Sequence, residues 1–361
     1  MAQRGLSPAR EGTDQAPGIA VCLGDPAGVG YEVGLDAVGR ILRGDWSHRC
    51  GLLVIGDGRI VADLSRSLEV ALPIETVKAP KVPVAGRVLL LDTSSAERAA
   101  VSMGSPNATA GLVALNALEA AIDCAKYGFV DAIVYTALDH RSLIAAGLPA
   151  REDSDFFSER FGCDGPRMDI LVAGEHSSRV WIGRVTSHGP LASVPALVTK
   201  KKVVEGLLFL RDAMARAGVT DIHIAVPALR SHGPSGGPCP LELDVLPAAV
   251  REAQTLGVPA SGPVATDTVF KTAFAGGYNG ILSLYPDQGL IAAKTAAFDT
   301  AVMLLAGLPV PVVTTAHGSA LDIAGRGVAS SLATTAAILL AIELAAARER
   351  SPKGNGPKQG R

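Results

Sequence analysis

Short apolar runs alternate with helical patterns along most of this chain. Ile19–Gly24 reads as a strand that opens into a glycine-rich turn. Leu52–Asp57, Val88–Asp92 and Asp131–Ala137 are further strands, and Asn107–Tyr127 has the Ala and Leu spacing of a helix. Met168–Gly174 and Arg179–Thr186 flank a turn-like Glu-His-Ser-Ser and predict a hairpin. Ile222–Ala228, Gly280–Tyr285 and Pro309–Thr315 complete the strand set, and Leu332–Ala347 predicts a buried C-terminal helix. Strands alternating with helices imply an α/β fold with a largely parallel sheet. The hairpin interrupts that alternation and suggests a second subdomain. Residues 1–17 and 349–361 read as disordered tails around a single unit, 18–348, of two interleaved α/β subdomains.

Composition narrows the function. Of 361 residues, 48% are hydrophobic and only 4% aromatic, which suits a large α/β core and not an aromatic-rich nucleic-acid reader. A net charge of -2 gives no general attraction for nucleic acid or anionic membranes. The cysteines, Cys22, Cys50, Cys124, Cys163 and Cys239, have no CxxC spacing, so reduced thiols in the cytoplasm are the simplest reading. The polar N-terminus lacks a signal core, and no stretch reads as a membrane span.

The candidate chemistry concentrates in His317–Gly327, His-Gly-Ser-Ala-Leu-Asp-Ile-Ala-Gly-Arg-Gly. Gly318, Ser319 and Ala320 let backbone approach a phosphate or an adenine, and Asp322 can accept hydrogen bonds from ribose hydroxyls. His317 and Ile323 bound the same segment, whose bland alternative is a helix-to-loop turn. Gly24–Gly30, Gly-Asp-Pro-Ala-Gly-Val-Gly, lacks both the GxGxxG spacing and a Walker lysine, so alone it reads as a structural turn.

These segments resemble a known family. The His317 loop is similar to the adenine-side loop of isocitrate and isopropylmalate dehydrogenases and of their relatives, the 4-hydroxythreonine-4-phosphate dehydrogenases. GDPAGVGYE (24–32), DAIVYTALDH (131–140), TSHGPL (186–191), DTVF (267–270) and DQG (287–289) resemble the latter family's landmarks in order. The resemblance spans about residues 19 to 347. It implies an isocitrate/isopropylmalate dehydrogenase-like fold of two α/β subdomains with a cleft between them. It also implies a homodimer, and NAD as cofactor, with Asp322 disfavouring the 2′-phosphate of NADP.

The family's metal ligands are three histidines. His188 matches the first, and His232 the second after a one-residue shift. Pro286 replaces the third, leaving neighbouring Asp287, or Asp267, as a substitute ligand for Zn, Mg or Mn. The family's substrate-binding GHTE is here Glu152-Asp153-Ser154-Asp155, and its turn lysine is His140. Asp153, Ser154 and Lys294 are the substrate candidates, Lys294 toward a carboxylate, and Asp267 or His140 could relay a proton. Met303 and Val312 fall where the family places phosphate-binding Asn and Arg. The chain therefore resembles most the catabolic branch that oxidises dihydrodiol carboxylates. The expected activity is NAD-dependent oxidation of a hydroxy acid or dihydrodiol carboxylate, with decarboxylation. The alternative is a catalytically impaired paralogue that binds a metabolite or regulates.

Overall fold

The computed structural model describes residues 16–67, 72–94, 101–148, 152–175, 178–231 and 239–350. Twelve strands form one sheet: β1 (Gly18–Cys22), β2 (Gly51–Gly56), β3 (Ile74–Val77), β4 (Val88–Asp92), β5 (Ala132–Tyr135), β6 (Met168–Ala173), β7 (Val180–Arg184), β8 (Ile224–Pro227), β9 (Ala260–Val264), β10 (Gly280–Ser283), β11 (Val302–Ala306) and β12 (Val312–Thr315). The longer helices are α1 (Gly30–Arg43), α2 (Gly58–Ser67), α3 (Ala108–Lys126), α5 (Asp153–Phe161), α7 (Lys200–Arg216), α8 (Leu246–Thr255), α10 (Pro286–Ala297) and α11 (Leu332–Arg350). Three short ones are α4 (His140–Ala145), α6 (Val194–Leu197) and α9 (Val269–Phe274).

The spatial order is β3-β4-β2-β1-β5-β12-β11-β6-β7-β10-β8-β9. Pairing is parallel from β3 to β12 and again from β7 to β9. Between them β11 pairs antiparallel with both β12 and β6, and β6 antiparallel with β7. This seam reverses the sheet, so the two parallel halves direct their carboxyl ends to opposite edges. The hairpin expected from Met168 to Thr186 is the β6–β7 part of that seam.

Strand alternation divides the core. Ile19 and Val21 of β1 face the layer of α1, α2, α7, α8 and α11, while Ala20 and Cys22 face α3 and α5. A third cluster joins Leu171, Ile182 and Ile281 to α9 and α10. Helix α3 is long and apolar enough to cross a membrane, yet Val113, Ala117, Leu118 and Ala121 are buried in this core.

Both expected tail boundaries move. Pro17 already accepts a hydrogen bond from Gly51 N, and α11 runs to Arg350 because its helical pattern continues past Ala347. Residues 1–15 and 351–361 lie outside the described residues. Asn107 caps α3 by accepting from Ala110 N at 2.8 Å. Asn107→Ala is expected to lower stability by about 1 kcal/mol, read from a shifted denaturant midpoint at unchanged slope.

Candidate active site

The loops after β1, β5 and β12 meet at the carboxyl edge of the first parallel half. Crossovers leave β1 toward β2 on one side, while β4 returns through α3 to β5 on the other. Such a switch point is where open α/β sheets leave a crevice for ligands. The Gly24–Gly30 turn packs against the His317 loop. Val29 N donates to Ser319 O at 2.9 Å, and a Cβ on Gly28 would lie 2.4 Å from the same oxygen. Glu32 accepts from Gly327 N at 3.2 Å. One segment thus pins both ends of the His317–Gly327 loop.

Within that loop Ala320 takes φ +42°, a left-handed conformation that costs a non-glycine residue about 1–2 kcal/mol. His317 Nδ1 donates to Gly318 O at 3.0 Å, and its buried Nε2 has no hydrogen-bond partner among the described residues. Gly318 has open space where a side chain would stand. Asp322 is exposed on a short helical turn, Leu321–Ile323. The loop therefore offers the exposed Asp322 carboxylate and room at Gly318, which fits the hydroxyl donors of a nucleoside.

Ser319 ties this loop to the next. Its Oγ donates to Asp139 at 3.3 Å, and Asp139 caps α4 through Arg141 N and Ser142 N at 2.9 and 3.2 Å. His140 is the first residue of α4. Nearby, Asp25 is buried and has no cation partner among the described residues, and burial pushes its carboxyl up, with Ala27 N and Ser142 opposing. A raised folded pKa favours the fold at low pH, and that contribution disappears as pH rises through the folded value. The stability of Asp25→Asn relative to the parent is thus expected to increase between about pH 4 and pH 7 in urea titrations. A gap that stays constant or narrows would contradict this.

The second group of candidates collects around β5, α5, β6 and β7. Tyr135 Oη donates to Asp153 Oδ2 at 2.7 Å, and His140 Nε2 lies 3.7 Å from Asp153 Oδ1. Burial and the Asp153 carboxylate push the Tyr135 phenol up, so it stays a proton donor. A small recess lined by Leu118, Leu138, Leu143 and Phe156 opens beside His140, Glu152 and Asp153. Arg184, at the end of β7, binds Glu152 at 2.9 Å and Asp169 at 2.7 Å through Nη2, and His188 Nε2 at 3.2 Å through Nη1. Burial pushes the Asp169 carboxyl up, against the pull of Arg184 and a hydrogen bond from Ser154. The structure brings His140, Asp153, Ser154 and His188 into one cluster. Tyr135, Glu152, Asp169 and Arg184 were not foreseen.

The remaining candidates make no side-chain hydrogen bond or ion pair with this cluster among the described residues. Asp287 is exposed in the first turn of α10, Asp267 is exposed before α9, and Lys294 is half-buried in the last turn of α10. None of the three side chains has a hydrogen bond or ion pair among the described residues. Gln288 beside Asp287 fixes that edge by binding Leu284 N, Ala228 O and Thr266 Oγ1. His232 lies outside the described residues. No group of three or more His, Cys, Asp or Glu has metal-binding geometry among the described residues. The donor chemistry agrees, because Arg184 can only donate and so occupies the Nε2 lone pair of His188. Among the described residues, no set of side chains fits a divalent metal.

Comparison with known proteins closes the description. Residues 48–341 match the family model described as pyridoxal phosphate biosynthetic protein PdxA. A curated relative from Rhizobium meliloti (strain 1021), named "Putative 4-hydroxythreonine-4-phosphate dehydrogenase 2", is 33% identical over 92% of this chain and 94% of its own length. A Salmonella typhimurium structure given the same activity name, also as putative, superposes with a TM-score of 0.75 at 26% identity, over 91% of this chain and 100% of the other. A terephthalate 1,2-cis-dihydrodiol dehydrogenase from Burkholderia xenovorans LB400 shares the fold at 22% identity and a TM-score of 0.60, over 91% and 98% of the two chains.

Proposed function

Because this chain belongs to the PdxA family, whose relatives carry dehydrogenase names, we propose that it is an NAD-dependent dehydrogenase of a hydroxy-acid substrate. The observation that carries the reading is the Ser319–Asp139 hydrogen bond. It joins the loop suited to a nucleotide to the helix that begins with His140.

In this reading His317, Gly318, Ser319, Ala320, Asp322 and Ile323 hold the adenosine half of NAD, and Asp322 repels a 2′-phosphate. A bound nicotinamide ring would take the hydride from the carbinol carbon. His140 takes the hydroxyl proton, and Asp153 beside it balances the charge the imidazole gains. Tyr135 holds Asp153 in place by donating to its other oxygen. Where the substrate has a carboxylate β to the new ketone, CO2 can leave once the ketone has formed. Glu152, Asp153 and Asp169 outnumber the one arginine among them, which disfavours a phosphate ester and favours a non-phosphorylated acid such as a dihydrodiol carboxylate. The same proposal places the enzyme in the cytoplasm as a homodimer.

Calorimetric titration with NAD and NADP tests the cofactor. The expected result is one NAD per chain, much weaker NADP binding, and about a tenfold loss of NAD affinity in Asp322→Asn. Failure of the parent protein to bind NAD would remove the dehydrogenase and leave a paralogue that kept the fold.

A further inference from the structure

We propose that the cavity between the ends of α7 and α11 binds a small carboxylic acid whose apolar body is about the size of one aromatic ring. The cavity has a volume of about 220 Å³. Its walls are the last turn of α7, the end of β11, the turn that joins β11 to β12, and the last two turns of α11. None of the lining residues belongs to the candidate active site. β12 separates the cavity from the His317 loop, since Pro311 at the cavity precedes that strand and His317 follows it. Binding there does not depend on the dehydrogenase reading.

The lining sets the chemistry of the ligand. Ala213, Leu304, Ala306, Val310 and Leu344 are all buried, so they give an apolar body fixed walls to pack against. A dry apolar cavity of about 150 Å³ takes a benzene ring, so this one has room for a ring and a carboxylate. Arg216 of α7 and Arg348 of α11 line the same cavity and are exposed. Neither has a hydrogen bond or ion pair among the described residues. Each stands in the last turn of its helix, where about half a negative elementary charge gathers. Two full guanidinium charges exceed two such half charges, so the rim attracts an anion. Guanidinium N–H groups come in pairs that match the two oxygens of a carboxylate. Residues 351–361 follow α11 but carry Lys353, Lys358 and Arg361 and no acidic side chain, so they do not complement this rim.

The test is calorimetric titration of the full chain with benzoate, and with benzyl alcohol as its uncharged counterpart. One benzoate per chain is expected, with at least tenfold weaker binding of benzyl alcohol. Arg216→Gln/Arg348→Gln is expected to weaken benzoate at least tenfold, and His140→Gln to leave it unchanged, which separates the cavity from the candidate active site. Ala213→Leu fills the cavity while keeping both arginines, and is expected to lose benzoate as well. Thermal melts establish that each variant is folded. No heat from the parent protein with benzoate at about 10 mM overturns the proposal, and that result needs no variant to fold. Benzoate binding that survives loss of both arginines, or that His140→Gln abolishes, also overturns it. Equal affinity for benzyl alcohol removes the carboxylate. Sedimentation velocity identifies a different occupant: a parent dimer that ignores benzoate and dissociates in the double arginine variant makes the cavity an interface between copies of this chain, against the proposal. Failure to bind NAD counts only against the dehydrogenase.

Discussion

Alanine at Gly111 is expected to lower the unfolding free energy by about 3 kcal/mol. The added Cβ would lie 2.0 Å from the Ser142 carbonyl oxygen and 2.4 Å from its carbon. Both atoms are backbone, so no rotamer change relieves the clash, and α3 and α4 must separate. Separation also disturbs the bond from Asn107 N to Ser142 Oγ, 3.3 Å long, which joins the start of α3 to α4. The variant should show a lower urea midpoint at unchanged slope. Because His140 begins α4, turnover should fall more than the loss of folded protein accounts for. A destabilisation under about 1 kcal/mol would mean that the two helices adapt freely.

Arg184→Met is expected to cost about 3 kcal/mol near neutral pH, because it leaves Asp169 and Glu152 without their cation. The effect depends on pH in a definite direction. Burial already raises the Asp169 carboxyl, and Arg184 is the strongest influence opposing that rise. Without the arginine, Asp169 holds its proton to higher pH. A carboxyl raised in the folded state favours folding below its ordinary range, and that contribution is lost as pH climbs through the folded value. The deficit of Arg184→Met should therefore shrink as pH is lowered toward about 4, when urea stability is measured beside the parent protein. A deficit independent of pH would mean that the arginine acts through packing and not through charge.

The sequence pattern reveals those parts of the fold in which continuous apolar runs end at turn residues. β1, β2, β4, β5, β10 and the β6–β7 hairpin lie within a few residues of the runs that predict them. β11 is hidden because Val302–Ala306 follows α10 and a single helical turn at Phe298–Thr300 with no glycine or proline between. β9 contains Gly262-Pro263, joined by a cis peptide bond, and looks like a turn. β3 is an edge strand with Glu75 and Thr76 exposed, so it lacks an apolar run.

The site divides in a similar way. His140 and His188 are visible because each stands inside a segment resembling a known family, and Asp153 and Ser154 because they stand where that family's GHTE is replaced. Arg184 is not, since Glu152 and Asp169 lie 32 and 15 positions away and no local pattern links them. One signal was available. Strand alternation places Arg184 on the same side of β7 as buried Ile182, where a guanidinium needs counter-ions close by.

The antiparallel seam bears on how the protein is made. β5 has its outer neighbour in β12, and α1 packs against α11, so the sheet half begun by Gly18 is finished by the last described residues. More than 170 residues separate the paired positions Tyr135 and Thr314. A growing chain that has passed β5 must hold the exposed flank of that strand without its partner until β12 has left the ribosome. Closure of this half of the sheet is then a late and collective event, and the nascent chain carries an open strand edge while the residues between β5 and β12 are made.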